Sequence, residues 1–257
     1  MLDCQTMDAN TLTGSEAVVD FRGATGVGAI VFDPALLPRV DPSLFDPRVD
    51  ANAAVPVAVG GRGAAWFVRT QAGDAVLRHY RRGGLAARVS RDLYMWQGAQ
   101  RTRGFREFQL LQALRERGLP VPTPLAAAYW RFGTGYRASL LMLRLTATRS
   151  MGALLDGNLP VPWRDIGIAI ALFHRAGACH ADLNVDNVLM DANGECWLID
   201  FDRGVLRAPA LGWQQANIAR LRRSLRKRIG ARADAPEAVN GWDALLDGWN
   251  EVMRQPT

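Results

Sequence analysis

The chain has 257 residues, 49 % hydrophobic and 22 % charged, enough to bury a sizeable core in one or two domains. Three irregularly spaced cysteines exclude a disulfide framework and point to a reducing compartment. Neither a signal peptide nor an apolar run approaching the ~18 residues of a membrane span is visible, so a cytosolic-side protein is expected. The net charge of +6, with a pI near 9.9, implies an anionic partner.

Residues 1–27 are polar and rich in Gly, Ala and Thr, and are expected to form a loose end. Gly28 to Phe32 reads as a short strand, followed by turns at Asp33-Pro34, Asp41-Pro42 and Asp46-Pro47. Strand-like segments at 55–59 and 64–68 flank Gly60-Gly61-Arg62-Gly63. A glycine cluster between strands is a tight turn by default. Beside a phosphoryl-transfer site it is a loop whose backbone N–H groups cover phosphates, with Gly61 and Gly63 as its contacts. Ala75 to Tyr80 is a strand that carries Arg78 and ends in the basic run Arg81-Arg82-Gly83-Gly84. A helix over 102–117 places Phe105, Phe108, Leu111 and Leu114 at three-residue steps, with Gly118 and Pro120 stopping it. Glu107 lies in its first turns, where it is either a surface carboxylate or a partner for Arg78. Tyr136 to Leu145 reads as a buried strand leading to a hinge.

The second half is predominantly helical. Residues 162–176 form a helix with Pro162 in its first turn, Trp163, Ile166, Ile170 and Phe173 on its buried side, and Gly177 closing it. His174 at its end is expected to be a packing histidine. Residues 214–229 are amphipathic, with Ile218, Leu221, Leu225 and Ile229 on one stripe. Arg220, Arg222, Arg223, Arg226, Lys227 and Arg228 fill much of the remainder, with no acid among them, and these six cations equal the whole charge excess. Such a face suits an anionic membrane, a phosphorylated ligand or plain solvent; no aromatic-interleaved groove suggests nucleic acid. A last helix spans 242–253.

The chemistry concentrates in residues 180–202, H-A-D-L-N-V-D-N-V-L-M-D-A-N-G-E-C-W-L-I-D-F-D. Two apolar runs joined by Asp191-Ala-Asn-Gly194 predict a β-hairpin. Its paired ends bring Asp182 and Asn187 near Asp200. Two carboxylates and a carboxamide so arranged suit phosphoryl transfer: Asn187 and Asp200 are hard oxygen ligands for Mg²⁺, and Asp182 is left to accept a hydroxyl proton. The order matches H-x-D-L-x-x-x-N followed by D-F-G, with Asp202 in place of the glycine. On that pattern Arg78 stands where the phosphate-gripping lysine would be, and an arginine grips in two places rather than as a point charge. A calcium loop fits poorly, because Cys196 occupies the position that needs glycine. Asp191, Asn193 and Glu195 are read as a turn, His180 as a brace for the loop, and Cys179 as a small buried residue.

With these residues the chain resembles the lipopolysaccharide-core kinases of the protein-kinase-like superfamily, and among them the 3-deoxy-D-manno-octulosonic acid (Kdo) kinases. The segments that carry the resemblance are G-R-G-A-A-W-F-V, V-L-R-H-Y-R-R-G-G-L, F-R-E-F-Q-L-L, G-L-P-V-P-T-P, H-A-D-L-N-V-D-N, L-I-D-F-D-R-G and Q-A-N-I-A-R-L-R-R-S-L-R-K, across about residues 60–228. Arg78 and Asp202 fit that family's own pattern.

The resemblance implies transfer of the ATP γ-phosphoryl group to the 4-hydroxyl of the Kdo sugar on a lipid A precursor. The protein would be peripheral, at the cytoplasmic face of a Gram-negative inner membrane. Asp182 would be the base, Asn187 and Asp200 the Mg²⁺ ligands, and Arg78 with Glu107 the phosphate clamp. Asn184 stands where protein kinases carry a lysine, which leaves Arg203 and Arg82 as candidates to meet the developing phosphate charge.

The expected fold is α+β, two-lobed and kinase-like. An extension covers 1–49, a strand-rich N-lobe 50–144 and a mainly helical C-lobe 145–257, with ATP in the cleft between the lobes. The rivals are a heptose or soluble small-molecule kinase and a non-catalytic pseudokinase. The presence of Asp182, Asn187 and Asp200 argues against the last.

Overall fold

Extended, β-branched and aromatic stretches dominate before residue 144, and helices dominate after it. The computed structural model describes residues 16–23, 26–57, 65–81 and 92–255. Packing divides the chain into two units: Met1–Gln109 with Thr123–Arg144, and Leu110–Pro122 with Leu145–Thr257.

The first unit is built on one antiparallel sheet. Its elements are β1 (Ala17–Gly23), β2 (Gly26–Phe32), β3 (Val55–Pro56), β4 (Ala65–Thr70), β5 (Gly73–His79), β6 (Tyr94–Met95), the part of α1 (Arg103–Glu116) up to Gln109, β7 (Pro124–Phe132) and β8 (Gly135–Leu143). The strand order is β1-β2-β7-β8-β5-β4-β3, with β6 pairing β8. Residues 17–23, expected to lie in a loose end, instead form a full hairpin with β2 in the register Ala17↔Phe32 to Gly23↔Gly26. The correction has a physical cause: Ala17 and the 29–32 run are buried, so the hairpin covers apolar surface that an unstructured tail would expose. β7 was not anticipated either. The first six residues of its sequence P-L-A-A-A-Y-W-R-F are buried on both sides of the sheet, so it lacks the alternation that betrays a half-buried strand.

One sheet face packs Ala126, Ala128, Leu77 and Leu141 against Leu37 and Phe45. Against the other lies the start of α1, where Phe105 meets Tyr129 with ring centroids 5.3 Å apart. The helix comes very close because Gly104 has no side chain. A Cβ there would sit 2.9 Å from the Ser139 carbonyl oxygen and 3.4 Å from the Ala127 Cβ.

The second unit contains β9 (Arg149–Ser150), α2 (Met151–Asp156), α3 (Trp163–Arg175), β10 (Ala178–Cys179), β11 (Val188–Met190), β12 (Cys196–Leu198), β13 (Val205–Leu206), α4 (Leu211–Ile229) and α5 (Pro236–Arg254). Pro162 proves to be the residue that precedes α3 rather than part of its first turn. Ile166, Ile170 and Phe173 are buried as the periodicity predicts. His174 is a packing histidine: its Nδ1 accepts the Trp249 indole N–H at 2.9 Å, and burial pushes its pKa down to about 4. Cys179 and Cys196 are free, and burial raises the Cys196 thiol to about 12, which keeps it neutral. No described helix is long and apolar enough to cross a membrane.

α3 and α5 are held together by glycines at their crossing. A Cβ on Gly167 would lie 2.0 Å from the Leu245 carbonyl oxygen, and one on Gly248 would lie 2.3 Å from that of Arg164. Backbone therefore packs on backbone, and a side chain there must force the helices apart. Gly167→Val should lower the free energy of unfolding by at least about 2 kcal/mol, as overpacking does. Urea titration checks this, and an unchanged midpoint would mean that the crossing is loose.

Candidate active site

Asn-Gly turn chemistry closes the hairpin as predicted. Asp191 Oδ1 accepts the backbone N–H groups of Asn193 and Glu195 at 2.8 and 2.9 Å, and Gly194 takes a positive φ of 84°. These backbone bonds lower the Asp191 pKa, so the carboxylate is a turn residue. β11 and β12 pair in the register Val188↔Leu198 to Met190↔Cys196. One step beyond, the Ile199 N–H donates to the Asn187 carbonyl at 3.1 Å. The ladder thus sets Asn187 beside the residue that precedes Asp200.

Asp200 takes a positive φ of 62° and Arg203 one of 63°. That region costs non-glycine residues energy and accepts Asp more readily than most. Between them Phe201 is buried. It packs on the His180 ring at 4.6 Å and stacks on Phe173 at 5.9 Å.

His180 organises the loop. It is 2 % exposed. Its Nε2–H donates to the Ile199 carbonyl at 2.9 Å, and its Nδ1 accepts the Asp182 backbone N–H at 3.1 Å. Both bonds require the same neutral tautomer. Burial lowers the ring's pKa and outweighs the opposing pull of the Ile199 bond and of Asp200 and Asp182. One side chain therefore joins the start of the loop to the strand that delivers Asp200.

Asn187 is 8 % exposed and donates its Nδ2–H to the Asp182 carbonyl at 2.9 Å. That bond fixes the amide's orientation. No hydrogen bond engages Oδ1 among the described residues, which leaves a hard oxygen available to a cation. This fits a Mg²⁺ ligand, because Mg²⁺ keeps several waters and substrate oxygens and takes few protein ligands. The structure thus brings Asp182, Asn187 and Asp200 to one loop-and-hairpin assembly.

In the first unit, the Arg78 guanidinium pairs with the Glu107 carboxylate, and the Tyr80 hydroxyl donates to Glu107 Oε2 at 2.7 Å. Arg78 also lies over the Tyr80 ring, 4.8 Å from its centroid. Glu107 is 2 % exposed, so the alternative of a surface glutamate falls away. Gly61, Gly63 and Arg82 lie outside the described residues.

Sequence reasoning missed the part played by α4. Asn217 is buried on its apolar stripe. Its Oδ1 accepts the His180 backbone N–H at 3.1 Å, and its Nδ2 donates to the His180 carbonyl at 3.0 Å. Two turns on, Ser224 Oγ accepts the Val185 N–H at 3.3 Å. Residues 217, 220 and 224 share one helical face. With both ends of that face bonded to the loop, Arg220 is delivered to Asp182, where Nη1 lies 3.3 Å from Oδ1. Among the described residues the cation in contact with Asp182 is therefore Arg220, whereas Arg203 sits in the turn after Asp200. The available signal was a carboxamide at 217, one residue before the apolar position 218 and within the buried stripe.

This arrangement, on a sheet-rich first unit and a helical second one, defines a kinase-like phosphotransferase. The model of the lipopolysaccharide kinase (Kdo/WaaP) family matches residues 50–245, and the chain belongs to that family. It is 56 % identical over 220 residues to a 3-deoxy-D-manno-octulosonic acid kinase of Xanthomonas campestris pv. campestris (strain B100), covering 85 % of this chain and 88 % of that one. It is 52 % identical over 221 residues to a protein of the same name from Stenotrophomonas maltophilia (strain R551-3), with the same coverage. Among solved structures, WaaP in complex with acyl carrier protein shares the fold. The TM-score is 0.51 and the identity 16 %, over 82 % of this chain and 83 % of that one.

The Asn217 bridge can be tested directly. Asn217→Leu leaves a buried N–H and C=O of His180 without partners, which should cost roughly 2 kcal/mol or more. Hydrogen–deuterium exchange across 180–187 should accelerate at the same time. Exchange equal to that of the parent would show that the bridge does not hold the loop.

Proposed function

We propose that the protein phosphorylates the Kdo sugar of a Kdo-bearing lipid A precursor in lipopolysaccharide core synthesis, using ATP as donor and the sugar's 4-hydroxyl as acceptor. The observation that carries this reading is the loop tied by His180 and Asn187, which holds Asp182, Asn187 and Asp200 as one unit. The names of relatives at 52–56 % identity supply the sugar. The particular hydroxyl rests on the family resemblance.

Asp182 is more than half exposed, so an acceptor hydroxyl can reach it. In the reaction the acceptor oxygen bonds to the γ-phosphorus as the bond to the β–γ bridging oxygen breaks, and the hydroxyl proton passes to the Asp182 carboxylate. Asn184 Nδ2 donates to the Asp182 carbonyl at 3.0 Å and approaches Oδ2 at 3.4 Å, helping to orient the carboxylate. Asn184 carries no charge, and Arg220 beside Asp182 supplies the cation that meets the transferring phosphoryl group. Arg78, steadied by Glu107 and Tyr80, grips nucleotide phosphates through its planar fork. Bound by Asn187 Oδ1 and the Asp200 carboxylate, Mg²⁺ would neutralise phosphate charge. The acceptor is a membrane lipid and ATP a cytoplasmic donor, so we place the reaction, and a peripheral protein, at the cytoplasmic face of the inner membrane.

The test supplies purified protein with labelled ATP, Mg²⁺ and four acceptors: Kdo-bearing lipid A precursor, a heptosylated core, free sugars and a peptide mixture. Label should enter the Kdo residue, at O4 by NMR of the product. Asp182→Asn should keep MgATP binding while turnover falls about a hundredfold or more. Preferential labelling of heptose or of free sugars would contradict the assignment, as would undiminished turnover without Asp182.

A further inference from the structure

The six cations of α4 have different fates. Arg222 lies over the Trp242 ring at 5.6 Å, and Arg226 pairs with Asp234 at 3.3 Å. Arg228 makes two hydrogen bonds to Asp156, at 2.9 and 2.7 Å, and reaches Asp186 at 3.3 Å. Arg220 is held by Asp182. Among the described residues no carboxylate pairs with Arg223 or Lys227. Both line a cavity of about 650 Å³ whose walls also include Asp182, Asn184, Arg220 and Ser224.

These two cations are four residues apart and so share a helical face. Along the axis Arg223 is about 4.5 Å, and Lys227 about 10.5 Å, beyond Arg220 at the rise of an α-helix. The helix Leu211–Ile229 contains no acid. The cavity lining carries four cations (Arg220, Arg223, Lys227, Arg228) against two carboxylates (Asp182, Asp186), and with Asp156, which holds Arg228 from outside the lining, the excess is still +1 (four minus three). Like charges gathered in a concave wall repel one another, and the wall attracts an anion that relieves the repulsion. An arginine fork beside an ammonium group suits a carboxylate or a phosphate.

We propose that Arg223 and Lys227 form an acceptor subsite, binding an anionic group of the acceptor and so presenting its hydroxyl to Asp182. This rests on the functional reading above and adds a rule of selectivity. A good acceptor carries a carboxylate or phosphate within one to two helical turns of the reacting hydroxyl, and neutral sugars are poor substrates. The shared chemistry has two sources on a Kdo-bearing lipid: the acid group of the sugar and a phosphate of the lipid portion.

Both sources enter one experiment. Parent and the Arg223→Gln/Lys227→Gln variant are compared on three acceptors: Kdo-bearing lipid A precursor, the same lipid with the Kdo acid as its methyl ester, and the same lipid with its phosphates removed. On the intact acceptor the variant's KM should rise about tenfold or more, in keeping with loss of charge-assisted bonds. Its KM for ATP, its melting temperature and its binding to vesicles containing anionic phospholipid should stay as in the parent. The gap between parent and variant should close on whichever modified acceptor lacks the recognised anion. An equal KM on the intact acceptor would overturn the subsite. So would a gap that persists on both modified acceptors, or a defect accounted for by weaker vesicle binding. If the parent itself phosphorylates none of the three, the functional reading fails instead.

Discussion

The second unit depends on a histidine that is neutral because it is buried. His180 carries a donor and an acceptor on opposite sides of one ring, and the structure uses both, one toward Ile199 and one toward Asp182. A cationic ring would have two donors and would have to abandon the Asp182 N–H. Desolvation favours the neutral form even though two carboxylates lie nearby. With its folded pKa below the ordinary value, this ring's contribution is complete above the ordinary histidine range and is lost as pH falls through the lowered value.

From that joint the remaining geometry follows in steps. The Ile199 carbonyl is fixed, so the chain can make its left-handed turn at Asp200 with Phe201 packed on the same ring. The Asp182 N–H is fixed, so its carbonyl accepts the Asn187 amide and leaves Oδ1 facing away from that bond. Asn217 grips the His180 backbone from outside and thereby sets the rotation of α4. A helix whose basic face suits an anionic membrane, a phosphorylated ligand or solvent also reaches, through Arg220, the residue proposed as base. The first unit solves a separate problem by similar means: Gly104 lets α1 approach the sheet, and Glu107 then holds Arg78 on β5.

Much of this was legible beforehand. The spacing of Asp182, Asn187 and Asp200 about an Asn-Gly turn specifies a hairpin and its two ends, because loop length and pleat leave few registers. The Arg78–Glu107 pair was legible as one of two readings of Glu107, from the kinase pattern that pairs a strand cation with a helix glutamate. Other features were hidden for physical reasons. The first six residues of β7 are all buried, so no alternation marks it, and its alanine run weakens the strand signal of the aromatics that follow. β1 ends the sheet among the described residues, and its short apolar–charged alternation, V-D-F-R, is lost among flanking residues rich in Gly, Ala and Thr. The roles of Asn217 and Arg220 depend on which face of α4 meets the loop. Its apolar stripe specifies a buried direction and leaves the loop at the other end of the contact unspecified.

The hold on the loop turns on the protonation state of one ring. ¹⁵N NMR of the histidine side chains, with His180 assigned by loss of its signals in His180→Asn, reads it directly. At pH 7 His180 should be neutral, protonated at Nε2 and bare at Nδ1, with its pKa below that of an ordinary histidine. An imidazolium at pH 7, or a ring protonated only at Nδ1, would contradict the hydrogen bonds that hold the loop.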